Sequence, residues 1–166
     1  MAARIRNLTH GLLKIKGGNT TELLTVPIQK GDVRFGVKRP AKVIMNRGKV
    51  DSLAQGFEVP MEVRFSVEFE EWTGRTLSAP NNTPSVPDAL RQKGNAASWH
   101  SVQTCGPYVV DLIFVLSNPC SSGDQNETLT FPSFHADSVE FAEGEDTDTL
   151  EVMGICNALE PTAVRA

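Results

Sequence analysis

The chain has 166 residues, is 40% hydrophobic and carries 16 Lys/Arg against 20 Asp/Glu, a net charge of −4. This is enough for one domain, 1–166, with a real core, and the composition is that of a soluble globular protein. No apolar run approaches the roughly 18 residues of a membrane helix, and no apolar segment of the secretory type follows Met1-Ala-Ala-Arg-Ile-Arg6, so synthesis in a cytoplasm is expected.

In chain order, Leu12–Lys16 and Glu22–Val26 flank Gly17-Gly18-Asn19, which predicts a hairpin around a glycine turn within the N-terminal region 1–30. Gly31-Asp32 opens a second turn. Val33–Lys38 alternates, Pro40 interrupts, Lys42–Met45 resumes and Asn46-Arg-Gly-Lys49 signals another turn. A connector of about ten residues is expected next. From Met61 to Glu70 the alternation is unbroken: Met61, Val63, Phe65, Val67 and Phe69 on one side, Glu62, Arg64, Ser66, Glu68 and Glu70 on the other. That is a long strand with one buried and one wet, mostly acidic face.

Residues 73–84 are rich in Gly, Pro, Asn and Thr and read as a loop. Ser85-Val-Pro-Asp88 outlines a capping box with Asp in the usual Glu/Gln place. Arg91 and Lys93 suit a helix C-terminus, and Gly94 a stop; the prediction is one short helix over 86–93. Tyr108–Leu116 reads as a buried strand, Glu127–Phe131 and Phe134–Phe141 as two more, Gly144–Asp148 as an acidic turn, Leu150–Ile155 as a last strand and 158–166 as a loose tail. Eight or nine strands and one helix predict a mainly β fold, an antiparallel β-sandwich or barrel with one short flanking α-helix.

The cysteines, Cys105, Cys120 and Cys156, have no metal-ligand spacing. A strand over 108–116 would hold Cys105 and Cys120 roughly 30 Å apart, far beyond the about 7 Å between Cα atoms that a disulfide spans, so three free thiols are expected. His10, His100 and His135 have no ligand-spaced neighbours. Cys105 and Ser101 lie near His100, but proximity in sequence is no triad. Glu68, Glu70 and Glu71 read as a solvated sheet face, because a glycosidase cleft is rich in aromatics and this chain is only 7% aromatic. Gly144–Asp148 lacks the twelve-residue calcium-loop pattern, and neither Gly17-Gly18 nor Arg47-Gly48 forms a phosphate cradle. No catalytic, cofactor or metal site is expected.

Charge is divided along the chain. Residues 1–50 hold eleven Lys/Arg and two acids, net +9; residues 51–166 hold five basic and eighteen acidic residues, net −13. The halves either neutralise each other within one molecule or suit self-association, basic face to acidic face. Phe35 is the only aromatic in residues 1–50, so phosphate contact there is conceivable but base stacking is not favoured.

The segments EVPMEVRFSVEFEEWTG, SVPDALRQKGNAASW, CGPYVVDLIFVLSNPC and ETLTFPSFHADSVEFAEGEDTDTLEVMGICNALEP, in that order over roughly residues 30 to 161, resemble the tail tube (major tail) protein of long-tailed phages and phage-like gene transfer agents, a family related to the type VI secretion tube. The resemblance implies a β-sandwich or barrel with a flanking helix. Six copies would form a ring whose long strands join around a DNA-conducting, typically acidic lumen, and rings would stack into a tube in the virion tail, with other tail proteins as partners and DNA in transient passage. Carried over by position, Glu62, Arg64, Ser66, Glu68 and Glu70 would face the lumen. The helix and the loop 73–84 would contact neighbouring subunits, with Trp72, Ser85, Asp88, Leu90 and Arg91 as interface residues, on the expectation that a short helix beside a sheet has little else to pack on. The N-terminal hairpin and the tail would touch adjacent rings. Alternatives are another virion component, such as a tail terminator or head decoration protein, a nucleic-acid-binding module using residues 1–50, or a hydrolase near His100 and Cys105.

Overall fold

The computed structural model describes residues 11–17, 23–26, 33–74, 83–99, 108–116 and 126–165. Its strands are β1 (Gly11–Gly17), β2 (Leu23–Val26), β3 (Arg34–Gly36), β4 (Ala41–Asn46), β5 (Lys49–Gln55), β6 (Met61–Glu68), β7 (Val110–Leu116), β8 (Glu127–Ala142), β9 (Thr149–Cys156) and β10 (Thr162–Arg165). Helix α1 (Val86–Arg91) and a 3₁₀ helix (Gly94–Trp99) lie between β6 and β7. Eight strands form one antiparallel sheet in the order β2-β1-β7-β8-β9-β6-β3, with β10 also on β8, while β4 and β5 pair only with each other. The fold is mainly β and sandwich-like, and it is not a closed barrel. The sheet curls far enough to bring Phe35 of β3 edge-on to Phe131 of β8, ring centroids 5.2 Å apart.

The alternation of β6 does what its period requires. Met61, Val63, Phe65 and Val67 are buried and the residues between them are not. They join Leu13, Ile15, Val26, Leu112, Phe131, Phe134, Leu150 and Val152 in one core. Phe65 and Phe134 stack at 5.9 Å. The buried Gly154 of β9 lies where β8 slips register between Ala136 and Ser138, and a Cβ there would collide with the His135 carbonyl oxygen. Only glycine lets the two backbones approach so closely.

Several sequence expectations are corrected. Residues 50–60 are no simple connector, because β5 occupies most of them. The two strands expected over 127–141 are one, β8, kinked at Ser133 with φ +49°. The Asp111 carboxylate on β7 accepts the Ser133 N–H at 2.9 Å and holds that kink, so Pro132 does not end the strand. β6 stops at Glu68, although the Phe69 N–H still donates to the Asp148 carbonyl at 2.9 Å. The tail is not loose: β10 pairs with β8, and the Ala158 carbonyl accepts the Met61 N–H.

The helix begins as the sequence indicates, with Ser85 Oγ accepting the Asp88 N–H at 3.2 Å, but it closes after Arg91 on a left-handed Gln92. Gly94, at φ +55°, enters the 3₁₀ helix instead of ending α1. Nor does α1 lack packing. Ala89 and Leu90 are buried in the core, the helix contacts β1, β2 and β8, and Gln92 Nε2 ties it to the Val109 carbonyl at 2.8 Å. His10, His100, Ser101, Cys105, Cys120 and the Gly31-Asp32 turn lie outside the described residues.

Candidate assembly surfaces

Directly opposed residues of antiparallel strands share a face, so the registers of β3, β6, β9 and β8 define the wet face of the sheet in rows. Glu62, Ile155 and His135 form one row, and Arg34, Arg64, Met153 and Ser138 the next. Ser66, Glu151 and Glu140 follow, and then Glu68, Thr149 and Ala142. Four of the five residues expected on this face, Glu62, Arg64, Ser66 and Glu68, are therefore on it, and Glu70 lies beyond the strand. The sequence pattern could not reveal that two arginines oppose each other across β3 and β6, or that two carboxylates do so across β8 and β9. The face is banded in charge, not uniformly acidic.

Arg64 does not pair with Glu62. That carboxylate accepts a hydrogen bond from Lys38 Nζ at 2.8 Å. The Lys38 bond and its charge, with a smaller contribution from Arg64, hold Glu62 below the usual carboxylate range. Arg64 instead shares a shallow depression with Arg34, Ser66 and Glu151.

The expected interface residues separate into two groups. Ser85, Asp88 and Leu90 are buried within the chain. The Ser85 hydroxyl donates to the Trp72 carbonyl at 2.9 Å while accepting from Asp88 N–H, and the Asp88 carboxylate accepts the Gly74 N–H at 2.8 Å instead of closing the capping box. Together they fasten the helix start to the segment leaving β6. Trp72 is exposed, and the Arg91 guanidinium stacks over its ring at 4.7 Å, a cation–π contact.

Two further features escaped the sequence reading. The first is the β4–β5 arm. Its register places Val43 opposite Leu53 and Met45 opposite Val50 on one face, with Lys42, Ile44, Ser52, Asn46 and Lys49 on the other. The apolar side is bare: Val43 is 49% exposed, Met45 57%, Val50 65% and Leu53 69%. Arg47 and Gly48, both at positive φ, make the tip, and the Gly56 N–H bond to the Pro40 carbonyl at 2.9 Å closes the root. The second is a cleft where the chain leaves β6. Leu24, Phe69, Val86 and Leu150 supply its apolar walls, with Glu68, Glu70 and Glu71 beside them.

His135 is engaged in structure, its Nδ1 2.9 Å from the Tyr108 carbonyl. Among the described residues no three of His, Cys, Asp and Glu are grouped to hold a metal ion. Cys156, at the end of β9 opposite Met61 of β6, is buried with a free thiol. Burial and, secondarily, the charge of Asp111 push that thiol up to about 12. Among the described residues no helix is long and apolar enough to cross a membrane.

No family model and no curated protein sequence matches the chain. Its architecture is nevertheless similar to a solved one, a chain in the six-fold-symmetrised cryo-EM structure of the anti-feeding prophage (AFP) baseplate. The TM-score is 0.53 at 7% identity, covering 99% of this chain and 97% of that one. The likeness extends along both chains nearly end to end, and it is one of fold.

Proposed function

We propose that the chain is a non-enzymatic structural subunit of a phage-type tail, which assembles into hexameric rings stacked as the tail tube through which DNA passes. The observation that carries this reading is the bare apolar face of the β4–β5 arm. A two-stranded ribbon is marginal alone in water, and an uncovered patch of this kind marks an interaction surface. Open strand edges support it. Among the described strands β3 covers only Glu62–Arg64 of β6, and nothing pairs with the outer edge of β8 beyond Phe134; such edges pair readily with other chains. The near full-length likeness to a chain of a six-fold phage-like baseplate points the same way, and other tail proteins then become partners. The wet face of β6, β8 and β9 would line the lumen, its carboxylates repelling DNA and its arginine row giving phosphates brief contacts.

The test is light scattering with negative-stain imaging of the purified protein. Six-fold rings or tubes with a central channel are expected. Once tubes form, Glu140→Lys with Glu151→Lys should leave them intact and make them retain duplex DNA at low salt; loss of assembly would remove this face from the lumen. A chain that stays monomeric at high concentration and binds DNA with steep salt dependence would overturn the reading in favour of a nucleic-acid-binding module.

A further inference from the structure

The arm and the cleft complement each other, yet they sit at opposite ends of β6. The arm is rooted at Pro40 and Gly56, close to the start of β6, where Met61 bonds Ala158. The cleft opens where β6 ends, between Glu68–Glu71 and residues 83–87. The eight residues of β6 separate them by roughly 27 Å at about 3.4 Å per residue. The root of the arm and the cleft therefore lie a strand's length apart, and an arm finds a cleft most directly on another copy.

Their chemistry matches. The arm offers Val43, Met45, Val50 and Leu53 on one face, and Lys42, Arg47 and Lys49 against a single acid, Asp51. Among the described residues none of these three cations forms an ion pair. The cleft offers apolar walls from Leu24, Phe69, Val86 and Leu150 beside the carboxylates of Glu68, Glu70 and Glu71. A ribbon with one apolar face, and with cations on its back and at its tip, thus meets an apolar hollow flanked by carboxylates, and such complementarity fixes partner and register.

We infer that the β4–β5 arm of one copy docks in the cleft at the far end of the next copy's sheet, an inference that rests on the self-association in the reading above. The contact is heterologous, because each molecule offers an arm at one end and a cleft at the other. Repetition then generates rows of subunits in place of closed pairs. It also covers the apolar face that Val43, Met45, Val50 and Leu53 leave in solvent.

The test uses two full-length charge-reversed chains, K42E/R47E/K49E in the arm and E70K/E71K at the cleft, each checked for native circular dichroism. In sedimentation velocity at low salt, each alone should associate at least about tenfold more weakly than the wild type, since like charges now face each other. An equimolar mixture should recover association, because each chain then meets an opposite charge on the other. A further variant, M45D/L53D, should lose association with no charge partner to rescue it. Single variants that associate as well as the wild type would overturn the inference, as would a mixture that fails to recover or a wild type that is monomeric throughout. The two readings fail differently: tubes unaffected by the arm variants sink the docking and leave the tube, whereas mixture-rescued oligomers without a channel do the reverse.

Discussion

Replacing Ser85 by alanine tests whether the start of α1 is the clamp that positions the chain after β6. The Ser85 hydroxyl makes two hydrogen bonds, accepting from Asp88 N–H at 3.2 Å and donating to the Trp72 carbonyl at 2.9 Å. Loss of an N-cap serine costs about 1 kcal/mol. Stripping the part-buried Trp72 carbonyl of its donor adds on the order of 1 kcal/mol, so Ser85→Ala should cost about 2 kcal/mol. Asp88→Ala removes a charge-assisted bond from the Gly74 N–H at 2.8 Å, again about 2 kcal/mol. Both side chains pin the same three residues, 72–74, and once one bond is lost the other holds a looser segment. The double variant should therefore lose about 3 kcal/mol, less than the sum of the two. Urea unfolding followed by circular dichroism would measure these values, and Ser85→Ala should lower Tm by about 4–8 °C in a chain of this size. A Ser85→Ala protein within about 0.5 kcal/mol of the wild type, or strict additivity in the double variant, would refute the clamp.

The remaining predictions concern titration. Glu62 should titrate below the ordinary carboxylate value of 4.5 by NMR, because Lys38 favours its charged form, and Lys38→Met should move the midpoint back up. Its folded pKa is depressed, so the pair's small, solvent-screened stabilisation is present above the unfolded value and is lost as pH falls through the folded one; an unmoved midpoint in Lys38→Met would contradict the pairing. The Cys156 thiol, raised from 9.0 to about 12, should resist alkylation in the native protein at pH 8 and react on unfolding. Because the unfolded chain ionises first, stability from this group is complete below pH 9 and declines between pH 9 and 12. Mass spectrometry of alkylated peptides checks the first claim, and fast native labelling of Cys156 would disprove its burial.

What could be read from the sequence was what depends on local periodicity and caps. The 61–68 strand announced itself because Met61, Val63, Phe65 and Val67 recur at the pleat's own period. Ser85 was legible as a cap because its chemistry acts within one helical turn. β5 was not, and its bulge explains why. The register slips between Ile44 and Met45, so Val50 and Leu53 share a face although an odd three residues apart, and a two-residue alternation misses them. Pro132 and Ser133 read as a break for a similar reason: the group that carries the strand through them is Asp111, twenty-two residues earlier.

The sequence by itself determined that this is a mainly β protein with one short capped helix, a long strand with a charged face, and basic and acidic halves. Each of these follows from the order of side chains along a few residues, where pleat and helical turn impose their own periods. Tertiary structure alone decided which charges share a row on the sheet, that Ser85 and Asp88 turn inward to hold the helix, that the tail pairs with β8, and that a basic apolar arm and an acidic apolar cleft stand at opposite ends of β6. Those relations join residues far apart in the chain, and strand register and packing, which no local pattern encodes, set them.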